Sequence, residues 1–204
     1  MIKSQQPGKK YTFDTYSFNK NKSIMLEQLL NIVKENAQEV IVNNQAVPNQ
    51  FNEAAMGEAT NAITSQLTQA VSQGNLQDVL GMFGNTQNLQ NNPIVGAIVA
   101  QLANSLGSKF GVNGASAQDI ASQLIPQVLG SVVNKTNDPN DSSFQINDIM
   151  NQLSGGKGAS GVDFGNIVSQ LQQGGGVDLG NIASQFLGGN AGGIGDMLGG
   201  FFKK

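Results

Sequence analysis

Four apolar residues at i, i+3, i+4 and i+7, repeated along the chain, set the strongest limit on what it can fold into. The pattern occurs as Leu76/Val79/Leu80/Phe83 and as Ile146/Ile149/Met150/Leu153. It returns as Phe164/Ile167/Val168/Leu171, as Leu179/Ile182/Ala183/Phe186 and as Ile194/Met197/Leu198/Phe201. With 3.6 residues to a turn, each quartet shares one face of a short α-helix. The third and fourth copies lie in a near-duplication, Val162-Asp-Phe-Gly-Asn-Ile-Val-Ser-Gln-Leu171 against Val177-Asp-Leu-Gly-Asn-Ile-Ala-Ser-Gln-Phe186. Two turns of helix do not persist alone in water, where isolated helices below about 12 residues are marginal. Each quartet therefore has to dock on another surface or stay unfolded.

Longer stripes of the same period surround the first two quartets. Leu26, Leu29, Leu30, Val33, Ala37, Val40 and Ile41 share one face, closed by Asn43 and Asn44. Pro48 and Asn49 announce a second helix with the stripe Met56, Ala59, Ile63, Leu67 and Ala70, stopped by Gly74. Asn92-Pro93 reads as an N-cap and first-turn proline for Ile94, Ile98, Leu102 and Leu106, with Gly111 as the left-handed terminator. Ser116 and Asp119 predict a cap for the next stripe, Ile120, Leu124, Val128 and Val132. Pro126 lies inside that stripe and is expected to kink or split the helix near Ile125. Ser142 with Gln145 predicts a capping box before Ile146. Small residues on the stripes, Gly57, Gly96, Ala97 and Ala103, predict close helix approach.

The expected fold is all-α, a multihelical bundle over residues 25–153. Before it, residues 1–24 read as a basic, flexible, disordered arm, with Lys3, Lys9, Lys10, Lys20 and Lys22 against Asp14 alone. Met25 then opens the folded-looking stretch. After it, residues 154–204 read as a Gly-rich tail of short amphipathic helices on coil-like linkers.

Composition narrows the chemistry. The chain has no His and no Cys, and all 11 of its basic residues are lysines. No side chain has an ordinary pKa suited to a neutral proton shuttle, and no thiolate nucleophile or usual zinc ligand set exists. Without Arg or Trp, and with a net charge of -3, nucleic acid is not the expected partner. Asn137-Asp-Pro-Asn-Asp-Ser142 gathers oxygen ligands, but a calcium loop started at Asp138 would place Ser143 at its glycine and Ile149 at its glutamate. A turn accounts for the same residues. Glu35 and Glu39 stand four apart on a polar face and read as solvated surface. No catalytic, cofactor-binding or metal-ligating residue is expected, and no small-molecule substrate.

The segments Met25-Leu-Glu-Gln-Leu-Leu30, Ser108-Lys-Phe-Gly111, Ile125-Pro-Gln-Val-Leu129 and Lys135-Thr-Asn-Asp-Pro-Asn-Asp-Ser-Ser-Phe144 together resemble the YidB-like group of bacterial proteins, a domain of unknown function. The branch with a Gly-rich end, found in Bacteroidetes, looks nearest, over about residues 25–156. The resemblance implies a small multihelical fold and a bacterial origin, and it carries no catalytic residues. The expected function is a non-enzymatic protein that binds a protein partner or itself through the tail faces: Phe164, Ile167, Val168, Leu171, Leu179, Ile182, Phe186, Ile194, Met197, Leu198 and Phe201. The alternative is a membrane- or envelope-associated accessory protein that meets a lipid surface through the tail and the Lys-rich ends. Cytoplasmic residence, with envelope-peripheral residence as the variant, is the matching expectation.

Overall fold

A computed structural model describes residues 13–84, 86–141, 144–155 and 162–173. Seven α-helices carry them: α1 (Phe13–Asn36), α2 (Asn52–Ser72), α3 (Leu76–Gly84), α4 (Pro93–Phe110), α5 (Gly114–Asn137), α6 (Ile146–Leu153) and α7 (Phe164–Gln172). No strand occurs among the described residues, so the multihelical all-α architecture stands. No helix among them is long and apolar enough to cross a membrane.

The long helices α1, α2, α4 and α5 pack side by side, with α4 between α2 and α5 and α1 against both α2 and α5. Their facing stripes are the ones the period marks. Ile63, Leu67, Ile98, Leu102, Leu106, Ile120, Leu124 and Val128 are all buried. Each such side chain contributes about 1.5–3 kcal/mol by leaving water. Thr60 is the only buried polar side chain among the described residues, and its hydroxyl donates to the Met56 carbonyl at 3.0 Å. The core is therefore nearly pure hydrocarbon.

Helix ends follow local chemistry. Asn92 Oδ1 accepts from the Ile94 amide at 2.9 Å, and its Nδ2 donates to the Asp78 carbonyl at 2.9 Å. One side chain thus starts α4 and ties it to α3. Past the end of α2, Gly74 takes φ +82°, which lets the Asn75 amide reach back to the Ala70 carbonyl and the Gly74 amide to Val71. Gly111 plays the same part after α4 with φ +70°.

Several expectations change. The cap of α5 is Asn113, not Ser116: Asn113 Oδ1 accepts from the Ser116 amide at 2.9 Å. The helix starts a turn earlier because an amide side chain there reaches the free amide that Ser116 itself exposes. It then runs unsplit through Pro126. The amide missing at Pro126 leaves the Ser122 carbonyl without its helical partner, and Ser122 is exposed to solvent that can supply one. The start of α6 has Gln145 at its cap position with no side-chain bond, and Ser142, the other half of the expected capping box, lies outside the described residues. Gly57 and Gly96 do not mediate close packing, since a β-carbon on either would meet nothing within 4 Å. Alanines Ala55, Ala59, Ala62 and Ala70 line the buried face of α2 instead.

The first stripe also breaks. Regular helix ends at Asn36, and a π-turn follows over Gln38–Val42, with the Val42 amide bonded to the Ala37 carbonyl. Asn36 Nδ2 donates to the Ile32 carbonyl at 2.7 Å and to Ser131 Oγ of α5, an amide competing with its own backbone. Widening the turn keeps Val40 and Ile41 buried. At its other end α1 begins at Phe13, inside the stretch expected to be irregular, while residues 1–12 lie outside the described part.

In urea denaturation, Asn92→Ala is expected to cost about 2–3 kcal/mol, the sum of a lost cap and a lost hydrogen bond. Asn92→Asp keeps the accepting oxygen and should cost about 1 kcal/mol. Equal losses for the two would mean the cap contributes nothing, and no loss in Asn92→Asp would mean the tie to Asp78 contributes nothing.

Candidate interaction site

Three of the five quartets meet in one place. Leu76, Val79, Leu80 and Phe83 are the buried face of α3, and Ile146, Ile149, Met150 and Leu153 are that of α6. Onto these two helices packs α7, most extensively on α3. Phe164 is fully buried, Ile167 and Val168 nearly so, and Leu171 is half-buried at the edge. The first tail quartet therefore docks on its own chain, and its face is closed to an outside partner in this arrangement. Phe164, Ile167 and Val168, past the boundary expected after residue 153, share one core with the helices before it. Leu179, Ile182, Phe186, Ile194, Met197, Leu198 and Phe201 lie outside the described residues.

Polar contacts fix the register of α7. Asp163 Oδ1 caps it by accepting from the Asn166 amide at 3.2 Å. Asn147 Oδ1 of α6 accepts from the Phe164 amide at 2.8 Å, satisfying another first-turn donor from across the interface. Gly165 stands where a β-carbon would come within 3.3 Å of Asp163 Oδ1 and 3.8 Å of Ile146 Cγ2. At the far end, a β-carbon on Gly84 would lie 3.5 Å from Leu171 Cβ. A hydrogen bond from Asn137 Nδ2 to the Phe83 carbonyl, 3.0 Å, holds α3 against the end of α5. Periodicity finds the apolar face of this site. Asn147 and Asn137 carry no sequence signal that marks them as its clamps.

Other surfaces offer less. A cavity of about 20 Å³ between α1, α2, α3 and α5, lined by Leu29, Leu67, Met82, Phe83 and Leu129 among others, is apolar and has room for one water at most. An open cleft of about 690 Å³ lies where α5 ends and α6 and α7 begin. Its carboxylates are engaged locally: Asp163 caps α7, Asp138 Oδ1 accepts from the Asn140 amide at 2.9 Å, and Asp141 lies 3.7 Å from Lys135 Nζ. The described part of the run that resembles a calcium loop is a turn, with the Asp141 amide donating to the Asp138 carbonyl at 3.1 Å, while Ser142 and Ser143 lie outside the described residues. Among the described residues no three acids cluster to hold a metal ion. Glu35 and Glu39 are exposed, and Glu39 accepts from Asn43 Nδ2.

Compared with models of known protein families, with curated proteins and with solved structures, the chain finds no match.

Docking of α7 is a close balance. Burying three or four apolar side chains yields about 1.5–3 kcal/mol each, while ordering a nine-residue helix costs about 1 kcal/mol or more per residue. Undocking of α7 alone should therefore precede global unfolding. In hydrogen exchange, Phe164→Ala is expected to bring the amides of 167–172 near the unprotected rate and leave α2, α4 and α5 protected. Loss of protection across all helices at once would instead make α7 an inseparable part of the bundle.

Proposed function

We propose that this chain is a non-enzymatic interaction and self-assembly protein that works by docking short amphipathic helices into an apolar seat. The observation behind this is the seat itself: α3 and α6 present apolar faces that α7, a nine-residue helix on a Gly-rich tether, fills with Phe164, Ile167 and Val168. Such helix-in-groove recognition needs only a complementary stripe at i, i+3, i+4 and i+7. Two further quartets follow in the sequence, so each chain holds more docking helices than the one seat formed by α3 and α6. Copies that exchange them associate by many weak contacts, through avidity. The resemblance to the YidB-like group is part of this proposal and adds no chemistry to it.

Light scattering after size exclusion, over a concentration series, tests the idea. The full chain is expected to rise above its 21.3 kDa mass as concentration increases. The variant Ile182→Asp with Met197→Asp should stay at that mass. Monomeric behaviour of both at every concentration would remove the self-assembly reading.

A further inference from the structure

We infer that residues 177–186 are a second occupant of the α7 seat, reached within the same chain by a fifteen-residue shift of the tail. This rests on the helix-docking reading above and names the ligand that the seat selects.

The contacts of α7 define what a rival must carry. An acid is needed one residue before the helix to cap it, as Asp163 does, and Asp178 stands at the matching place. Position 165 has little room for a side chain beside Asp163 and Ile146, and position 180 is glycine. Ile167, nearly buried, is matched by Ile182. Asn166, Ser169 and Gln170, which face solvent, recur unchanged as Asn181, Ser184 and Gln185. The amide that donates to Asn147 belongs to the backbone, so Leu179 supplies it as well as Phe164 does. Only three of the ten positions differ: Phe164 becomes Leu179, Val168 becomes Ala183, and Leu171 becomes Phe186. The first two shrink fully or nearly buried groups, while the third enlarges a half-buried one at the rim beside Gly84.

By contrast, the last quartet keeps the glycine as Gly195 but has Gly193 where the cap should be. The quartets of α3 and α6, which build the seat, carry Gln77 and Asn147 at the position of that glycine. Glycine there belongs to the tail copies, as expected if those copies were shaped by one seat.

The tether permits the exchange. About 23 residues (154–176) would replace about eight (154–161) as the closing loop, a roughly fivefold entropic penalty. A Gly-rich coil of that length spans about 25 Å on average, enough to return to the seat it leaves. With the smaller side chains costing on the order of a hundredfold, α7 holds the seat in most molecules and 177–186 takes it in a minority. In that minority Phe164, Ile167 and Val168 are released to meet another copy.

The chain has no cysteine, which makes disulfide trapping clean. The 3.5 Å separation of β-carbons at Gly84 and Leu171 lies at the short end of what a disulfide accepts. In the full chain, Gly84→Cys with Leu171→Cys should close an intramolecular bond and report α7 in its seat. Gly84→Cys with Phe186→Cys should close slowly and in minor yield, and adding Phe164→Asp should raise that yield at least about tenfold. If circular dichroism shows that Phe164→Asp unfolds the bundle, the milder Val168→Asn should produce the same rise. A yield that does not respond to either change, while the Leu171 pair closes normally, overturns the inference. So does a Phe186 disulfide found only between chains. The first result leaves association in light scattering open and the second agrees with it, so the two proposals fail separately.

Discussion

Everything in this molecule follows from the inability of a two-turn helix to stand alone. A helix of eight or nine residues closes only a few of its own hydrogen bonds and leaves the rest at its ends. It becomes ordered only when a surface takes its apolar face. The four long helices supply that surface first, since α2, α4 and α5 are long enough to form stripes that cover one another. α3 and α6 then lie on this body, and α7 lies on them. Order is thus handed outward from long helices to short ones, and the last one added is held by the fewest partners.

The hierarchy explains what could be read in the sequence and what could not. Stripes such as Ile94, Ile98, Leu102 and Leu106 are dictated by a period, and all four are buried as that period requires. Asn92, Gly74 and Gly111 were equally legible, because a cap or a left-handed residue is a local requirement of the backbone. The pattern misleads where two local solutions are both adequate. Ser116 could cap α5, but Asn113 does so a turn earlier. Just before the π-turn at Gln38–Val42, Asn36 bonds Ser131, a partner 95 residues away that no local pattern encodes. The place of α7 was beyond reach for the same reason. Its face announces that it docks, but only the assembled α3 and α6 say where.

The core's chemistry points the same way as its geometry. Among the described residues the interior is hydrocarbon, with Thr60 as its one buried polar side chain. In the cleft where α5 ends and α6 and α7 begin, the carboxylates of Asp163 and Asp138 are already engaged in a cap and a turn. What the fold controls well is the exposure of apolar faces, and control is finest where burial and ordering nearly cancel. A seat whose occupant is only marginally held can respond to small changes in that occupant, such as one methyl group more or less at Val168.

The duplication in the tail makes sense in these terms alone. Repeat architectures that build a fold duplicate a unit of 20 residues or more, whose copies stack and bury one another. Here the repeating unit is fifteen residues, a two-turn helix and a run of glycines, so a copy brings no second layer against which its neighbour could pack. The seat formed by α3 and α6 was not copied along with it. Duplicating the ligand without the receptor adds nothing to the stability of the bundle. It multiplies the candidates for one binding face, each slightly different in how much apolar surface it can hide. On the docking reading, a chain arranged this way would have a ranked set of amphipathic segments and one place for them within itself. On the reading proposed above, a segment left without the seat would offer its apolar stripe to the seat of another copy.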